Sequence, residues 1–156
     1  MSHRFDSCPE CGAVLTKGRS LPDHRRFFGL VTKAFEQWPE HSDFRPRDVE
    51  HLRAYLLVKA GHTDIAHIPA PPECENPAIM VLFKLAVEAT GQALERKAGY
   101  VDYRVSSGGV EVITPRSIDF RTVGQKQFSP IREAVEALIE DVIGVKAEQL
   151  LRARAA

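Results

Sequence analysis

The sequence predicts an α+β fold: a mainly helical single domain of about four helices, with a small antiparallel β-hairpin or sheet and an N-terminal cysteine knuckle. Three observations predict it. Apolar residues recur at helical spacing in long stretches opening near Leu21, Pro46, Pro77 and Pro130. Strand-like alternation is confined to Tyr100–Thr114, and Ser107-Gly108-Gly109 divides it in two. Helices and strands are thus segregated, not interleaved as βαβ units. With 156 residues, 44% of them hydrophobic and 27% charged, the chain is expected to form one domain over 17–156 behind an extension at 1–16.

The extension is polar and contains Cys8-Pro-Glu-Cys11-Gly12, with Ala13–Thr16 as a short strand leading out of it. Helix one follows at Leu21–Gln37. Ser20 is its N-cap, Asp23 is placed to reach back to the cap amide, and Pro22 is tolerated in the first turn. Pro39 stops it after Trp38. Phe27, Val31, Ala34, Phe35 and Trp38 share one apolar face, while Arg25, Arg26, Gly29 and Lys33 fall opposite. Helix two is expected from Pro46 to just before Gly61, with Val49, Leu52, Tyr55 and Leu56 at helical spacing. His62–Glu75, holding Pro69, Pro71 and Pro72, reads as an irregular surface connection.

Asn76 and Pro77 open helix three, which runs to about Lys97. Its first two turns are apolar nearly all round, which predicts the central buried helix. In the hairpin, Val101, Tyr103 and Val105 share one face and Tyr100, Asp102 and Arg104 the other. Val110–Thr114 returns, and Pro115–Arg121 is expected to add an extended piece with Ile118 and Phe120 on one face. Ser129 is the expected cap of the last long helix, with Pro130 at its start and Ile131, Val135, Leu138, Ile139 and Val142 on the buried side. Val145–Ala156 reads as a short charged tail helix, mobile or in contact with a partner.

The net charge is zero, which excludes a histone-like basic binder, so any polyanion binding must come from local charge. The first fifteen residues lack the apolar run of a signal peptide. The apolar run Ala78–Phe83 is too short to span a bilayer, so no membrane role is expected. Three cysteines make no disulfide framework, which points to a reducing, cytoplasmic compartment.

Cys8 and Cys11 have the spacing of a metal knuckle, in which tight-turn amides donate to the sulfurs and Gly12 supplies the turn. A structural zinc site needs four ligands. His24 is the candidate third, twelve residues after Cys11, and Cys74, His67, His62 or His3 could complete the set only through the fold. A metal-free turn is the alternative. For His24 itself, packing as a neutral imidazole near the helix start competes with ligation.

Catalytic constellations are lacking: the chain has no Walker loop, GxSxG, HExxH or DxD pattern. Asp43, Asp48, Glu50 and His51 gather at the start of helix two, where acids complement the helix dipole. A non-catalytic protein is expected. Lys17, Arg19, Arg25, Arg26 and Lys33 could neutralise phosphates beside the free amides of helix one. Tyr100 and Arg104 could form a base-stacking platform, with Arg116 and Arg121 just beyond. The competing reading is a core helix with a solvated basic back. Against it, cations are unfavourable at the positive end of a helix dipole, and their crowding there points to an anionic partner.

Gly18–Glu40 (GRSLPDHRRFFGLVTKAFEQWPE), followed by a second helix ending Val58–His62, resembles a family of phage and prophage proteins of unknown function. Ser117-Ile118-Asp119-Phe120 before the amphipathic stretch Phe128–Ile143 resembles that family's C-terminal signature. More remotely, Arg19, Ser20, Leu21 and Arg25 are similar to the helix start of the NinB/Orf recombination proteins of lambdoid phages, with His24 in place of an Asn. That resemblance implies a dimeric, non-catalytic accessory protein of recombination or replication. It would bind single-stranded or branched DNA and a host single-strand-binding protein in the cytoplasm of a bacterial host. The alternative is a phage protein-binding module that inhibits or adapts a host complex, such as a nuclease or defence system.

Overall fold

The computed structural model describes residues 21–106, 108–119 and 123–153. In order, these form α1 (Leu21–Glu36), α2 (Val49–Lys59), β1 (Thr63–Pro69), α3 (Pro77–Ala98), β2 (Asp102–Ser106), β3 (Gly109–Pro115), α4 (Gln125–Ile143) and α5 (Ala147–Arg152). The fold is α+β and mainly helical. The chain divides into two compact units: the residues up to Arg53 together with those from Ser117 onward, and Ala54–Arg116. The knuckle, Ala13–Thr16 and the Ser20 cap lie outside the described residues.

In the first unit, α1 buries Phe27, Phe28, Leu30, Val31 and Ala34, one continuous stripe at helical spacing. Phe27 meets Phe128 of α4 edge-to-face, with ring centroids 5.4 Å apart. Val135 and Ile139 continue the buried side of α4. Polar contacts flank this core. Asp23 accepts from Arg132 at 2.9 Å and from Gln125 at 2.7 Å, and Arg26 donates to Glu136 at 3.2 Å.

Helix α4 begins earlier than expected, at Gln125 with Gly124 as N-cap, so Pro130 lies inside it. The earlier start brings Phe128 into phase with Val135 and Ile139. Pro130 forfeits one backbone bond, and the Ser129 hydroxyl turns back to the Gln125 carbonyl (3.1 Å) and does not cap. The expected short tail helix is α5, and it packs on α1 and α4 through buried Ala147 and Leu150. Its first amide donates to Glu140 at 2.9 Å, and Lys146 reaches the same carboxylate at 2.7 Å. Helix α2 starts at Val49 and not at Pro46, because the Asp48 carboxylate accepts from the His51 amide (2.8 Å) and fixes the first turn there.

The second unit is a three-stranded antiparallel sheet, ordered β1-β3-β2, with α3 packed against β3. Strand β1 occupies Thr63–Pro69, part of the stretch expected to be irregular. Its apolar residues do not alternate, so no strand period was visible. As an edge strand it also tolerates a terminal proline. Pro69 pairs with Gly109, whose φ of +143° and close approach to the backbone of Ile68 and Ala70 leave no room for a side chain. Arg116–Asp119 add no strand. The Arg116 amide instead returns to the His62 carbonyl at 2.9 Å.

Helix α3 is well delimited. The Asn76 side chain accepts from the Ala78 amide at 3.0 Å, Pro77 is in the first turn, and Gly99 closes the end. It is not the buried central helix that its composition predicted: Gly91 is its one buried residue. Ile79, Met80, Phe83, Val87, Gly91 and Leu94 turn away from solvent, with Glu95 and Ala98 at the end of the same side, which is a single face of a helix apolar on more than one.

Candidate interaction surface

On the sheet face that bears α3, register aligns Val105 with Val110 and Tyr103 with Val112. Between α3 and the edge strand β2 lies a groove of about 500 Å³, walled by Phe83, Val87, Tyr103, Val105 and Val110, with Lys84 and Glu88 at its margin. The Tyr103 ring crosses to α3 and rests on the bare backbone of Gly91. Burial, then Glu95 and Glu88 nearby, hold its phenol above the ordinary tyrosine range.

Beside the groove, the outer face of α3 is apolar and open. Leu82 is 68% exposed, Val81 and Leu85 more than half, and Val105 of β2 80%. Ala78, Ala86, Ala89 and Ala93 fill the intervening positions. Taken as a whole helix and not as the run Ala78–Phe83, α3 has the length and composition of a bilayer-crossing segment. This contiguous exposed apolar patch is the candidate interaction surface.

The basic residues expected to grip phosphate are spread over both units. Lys17 and Arg19 lie outside the described residues. On α1, Arg25 is exposed, Arg26 is half-buried against Glu136, and Lys33 bridges to Glu36 at 2.8 Å. In the other unit Tyr100 precedes β2 and packs edge-to-face on Tyr55, with centroids 5.3 Å apart. Burial raises its phenol pKa, with a further push from Asp102. Arg104 bridges across the ladder to Glu111 at 3.2 Å, in a row that ends at His67. The expected stacking pair is therefore two separately engaged side chains.

Cys8 and Cys11 also lie outside the described residues. His24 is buried on the inner side of α1, its ring 4.5 Å from that of Phe28. Among the described residues no three His, Cys, Asp or Glu side chains converge as a metal site. Sequence reasoning passed over the α3 face because an all-round apolar helix reads as core. The charges within it, Lys84 and Glu88, were the available signal that one side stays open.

The fold and this surface define a mainly helical α+β chain with an uncovered apolar face. No protein-family model, curated protein or solved structure matches it.

Proposed function

We propose that this chain is a non-catalytic protein-interaction module, of the kind a phage uses to adapt or inhibit a host complex. One observation carries the reading: α3 presents Val81, Leu82 and Leu85 to solvent from a helix whose other side is already packed on the sheet. Removal of such side chains from water is the main favourable term in protein association. The phage setting comes from the resemblance of Gly18–Glu40. The test is capture from nuclease-treated bacterial lysate with immobilised wild type and with Leu82→Glu/Leu85→Glu. A partner retained after nuclease and lost in the variant supports the reading. Equal capture by both, or none by either, sinks it.

A second reading, binding of single-stranded DNA, has its own observation: exposed Arg25 in the first two turns of α1, the end of a helix whose dipole favours an anion. Arg26 and Lys33 already hold carboxylates, which reduces the charge on offer. Binding that weakens steeply with salt and with Arg25→Ala would favour it. Binding absent at low salt would remove it.

A further inference from the structure

We propose that the partner seated on α3 is a second copy of this chain, docked antiparallel along the same helix about a two-fold axis near Leu85 and Ala86. The inference rests on reading the α3 face as protein-binding, and it names the occupant. Ala78, Leu82, Leu85, Ala89, Gln92 and Arg96 follow each other at alternating intervals of four and three, the spacing of a helix-pairing seam. With the axis between Leu85 and Ala86, each Leu82 lies opposite the other copy's Ala89, and each Ala78 opposite Ala93. At Leu82 large then meets small, as interdigitation requires.

Charge selects the antiparallel direction. Glu73 and Glu75 precede α3, and Arg96 and Lys97 end it. All four are exposed, and none is in an ion pair with the described residues. The same axis sets Glu75 opposite Arg96 and brings Glu73 towards Lys97, twice over by symmetry. A parallel pair would stack acid on acid and base on base. The helix dipoles also oppose favourably when antiparallel.

A lipid bilayer is the weaker occupant. Lys84 and Glu88 sit mid-helix, and α3 is joined to an antiparallel sheet whose edge strands carry backbone groups that hydrocarbon cannot satisfy. One helix of 22 residues, about 33 Å long, gives an interface at the small end of the stable range, so the dimer is concentration-dependent.

Sedimentation of the full chain from micromolar to millimolar concentration tests this. A reversible monomer–dimer equilibrium is expected, weakened more than about tenfold by Leu82→Glu with helix content unchanged. Glu75→Lys and Arg96→Glu should each weaken it roughly three- to ten-fold, and the double swap should restore it. A monomer at every concentration overturns the proposal. So does a dimer indifferent to Leu82→Glu, a swap that fails to restore association, or a monomer that binds neutral phosphatidylcholine vesicles through Leu82. A strict monomer that still captures a lysate protein through Leu82 overturns the second copy and leaves the interaction module standing. A dimer with no capture does the reverse.

Discussion

Tyr103 and Gly91 share one contact surface: a methyl group built on Gly91 would overlap the phenol hydroxyl and lie 2.6 Å from Cζ. The glycine is thus required by the neighbour and not by its own backbone. Helix propensity alone favours alanine there by about 1 kcal/mol. The clash falls on the far end of a side chain that can swing out, so Gly91→Ala should leave stability within about 1 kcal/mol of wild type. It should, however, move Tyr103 into water and away from Glu95 and Glu88, and its raised pKa should fall towards the ordinary value. NMR titration of the tyrosine Cζ resonances measures this, and an unmoved Tyr103 titration would contradict the packing.

Asp23 was expected to serve the start of its own helix. Among the described residues it joins α1 to α4, accepting from both Arg132 and Gln125. Arg132 and Asp23 are largely buried, so each should feel the loss of the other. A double-mutant cycle of Asp23→Ala and Arg132→Ala should give a coupling of about 0.5–3 kcal/mol in urea unfolding. Strict additivity would show that the pair contributes nothing beyond its separate members.

The helices were legible where one amphipathic period persisted. Leu21–Gln37 was expected and Leu21–Glu36 is observed. Asn76 and Pro77 marked α3 to within a residue, because capping is local chemistry. What failed depended on partners distant in sequence. Strand β1 is held by its register with β3 and shows no alternation of its own. The tail helix itself was legible as α5, but its anchoring through buried Ala147 and Leu150 was not. For the candidate surface, Arg25, Arg26 and Lys33 were visible as charges, but the sequence could not show that Glu136 and Glu36 meet two of them. The α3 face was visible as apolar residues, with only Lys84 and Glu88 to signal that one side stays open.

Lys59 and Asp102 give a pH dependence whose sign is fixed. Their hydrogen bond, 2.8 Å long, is the largest influence on both: it raises the lysine above its ordinary value and lowers the aspartate below its own. The aspartate's contribution is present above the unfolded carboxylate range and is lost as pH falls through its lower folded value, below about 4. The lysine's contribution is complete below its unfolded value and is lost as pH rises through the higher folded one, above about 10.5. Both groups are more than a third exposed, so the pair is worth only about 0.2–1 kcal/mol. The stability gap between wild type and Asp102→Asn should be flat from about pH 5 to 9 and should narrow on either side. A gap that widens on acidification would refute the assignment.

Phe128 offers the sharpest contrast with the open face of α3. Its ring has no exposure and meets Phe27 edge-to-face, so Phe128→Ala removes buried area and leaves a cavity between α1 and α4. The expected loss is about 3–5 kcal/mol. Leu82→Ala deletes a side chain of similar apolar character from a position 68% exposed. At concentrations low enough to keep the chain monomeric it should change stability by no more than about 0.5 kcal/mol. Denaturant unfolding of the two variants at low micromolar concentration measures both. A cost at Leu82 approaching that at Phe128 would mean that α3 is packed within its own chain, and the open face would have to be abandoned.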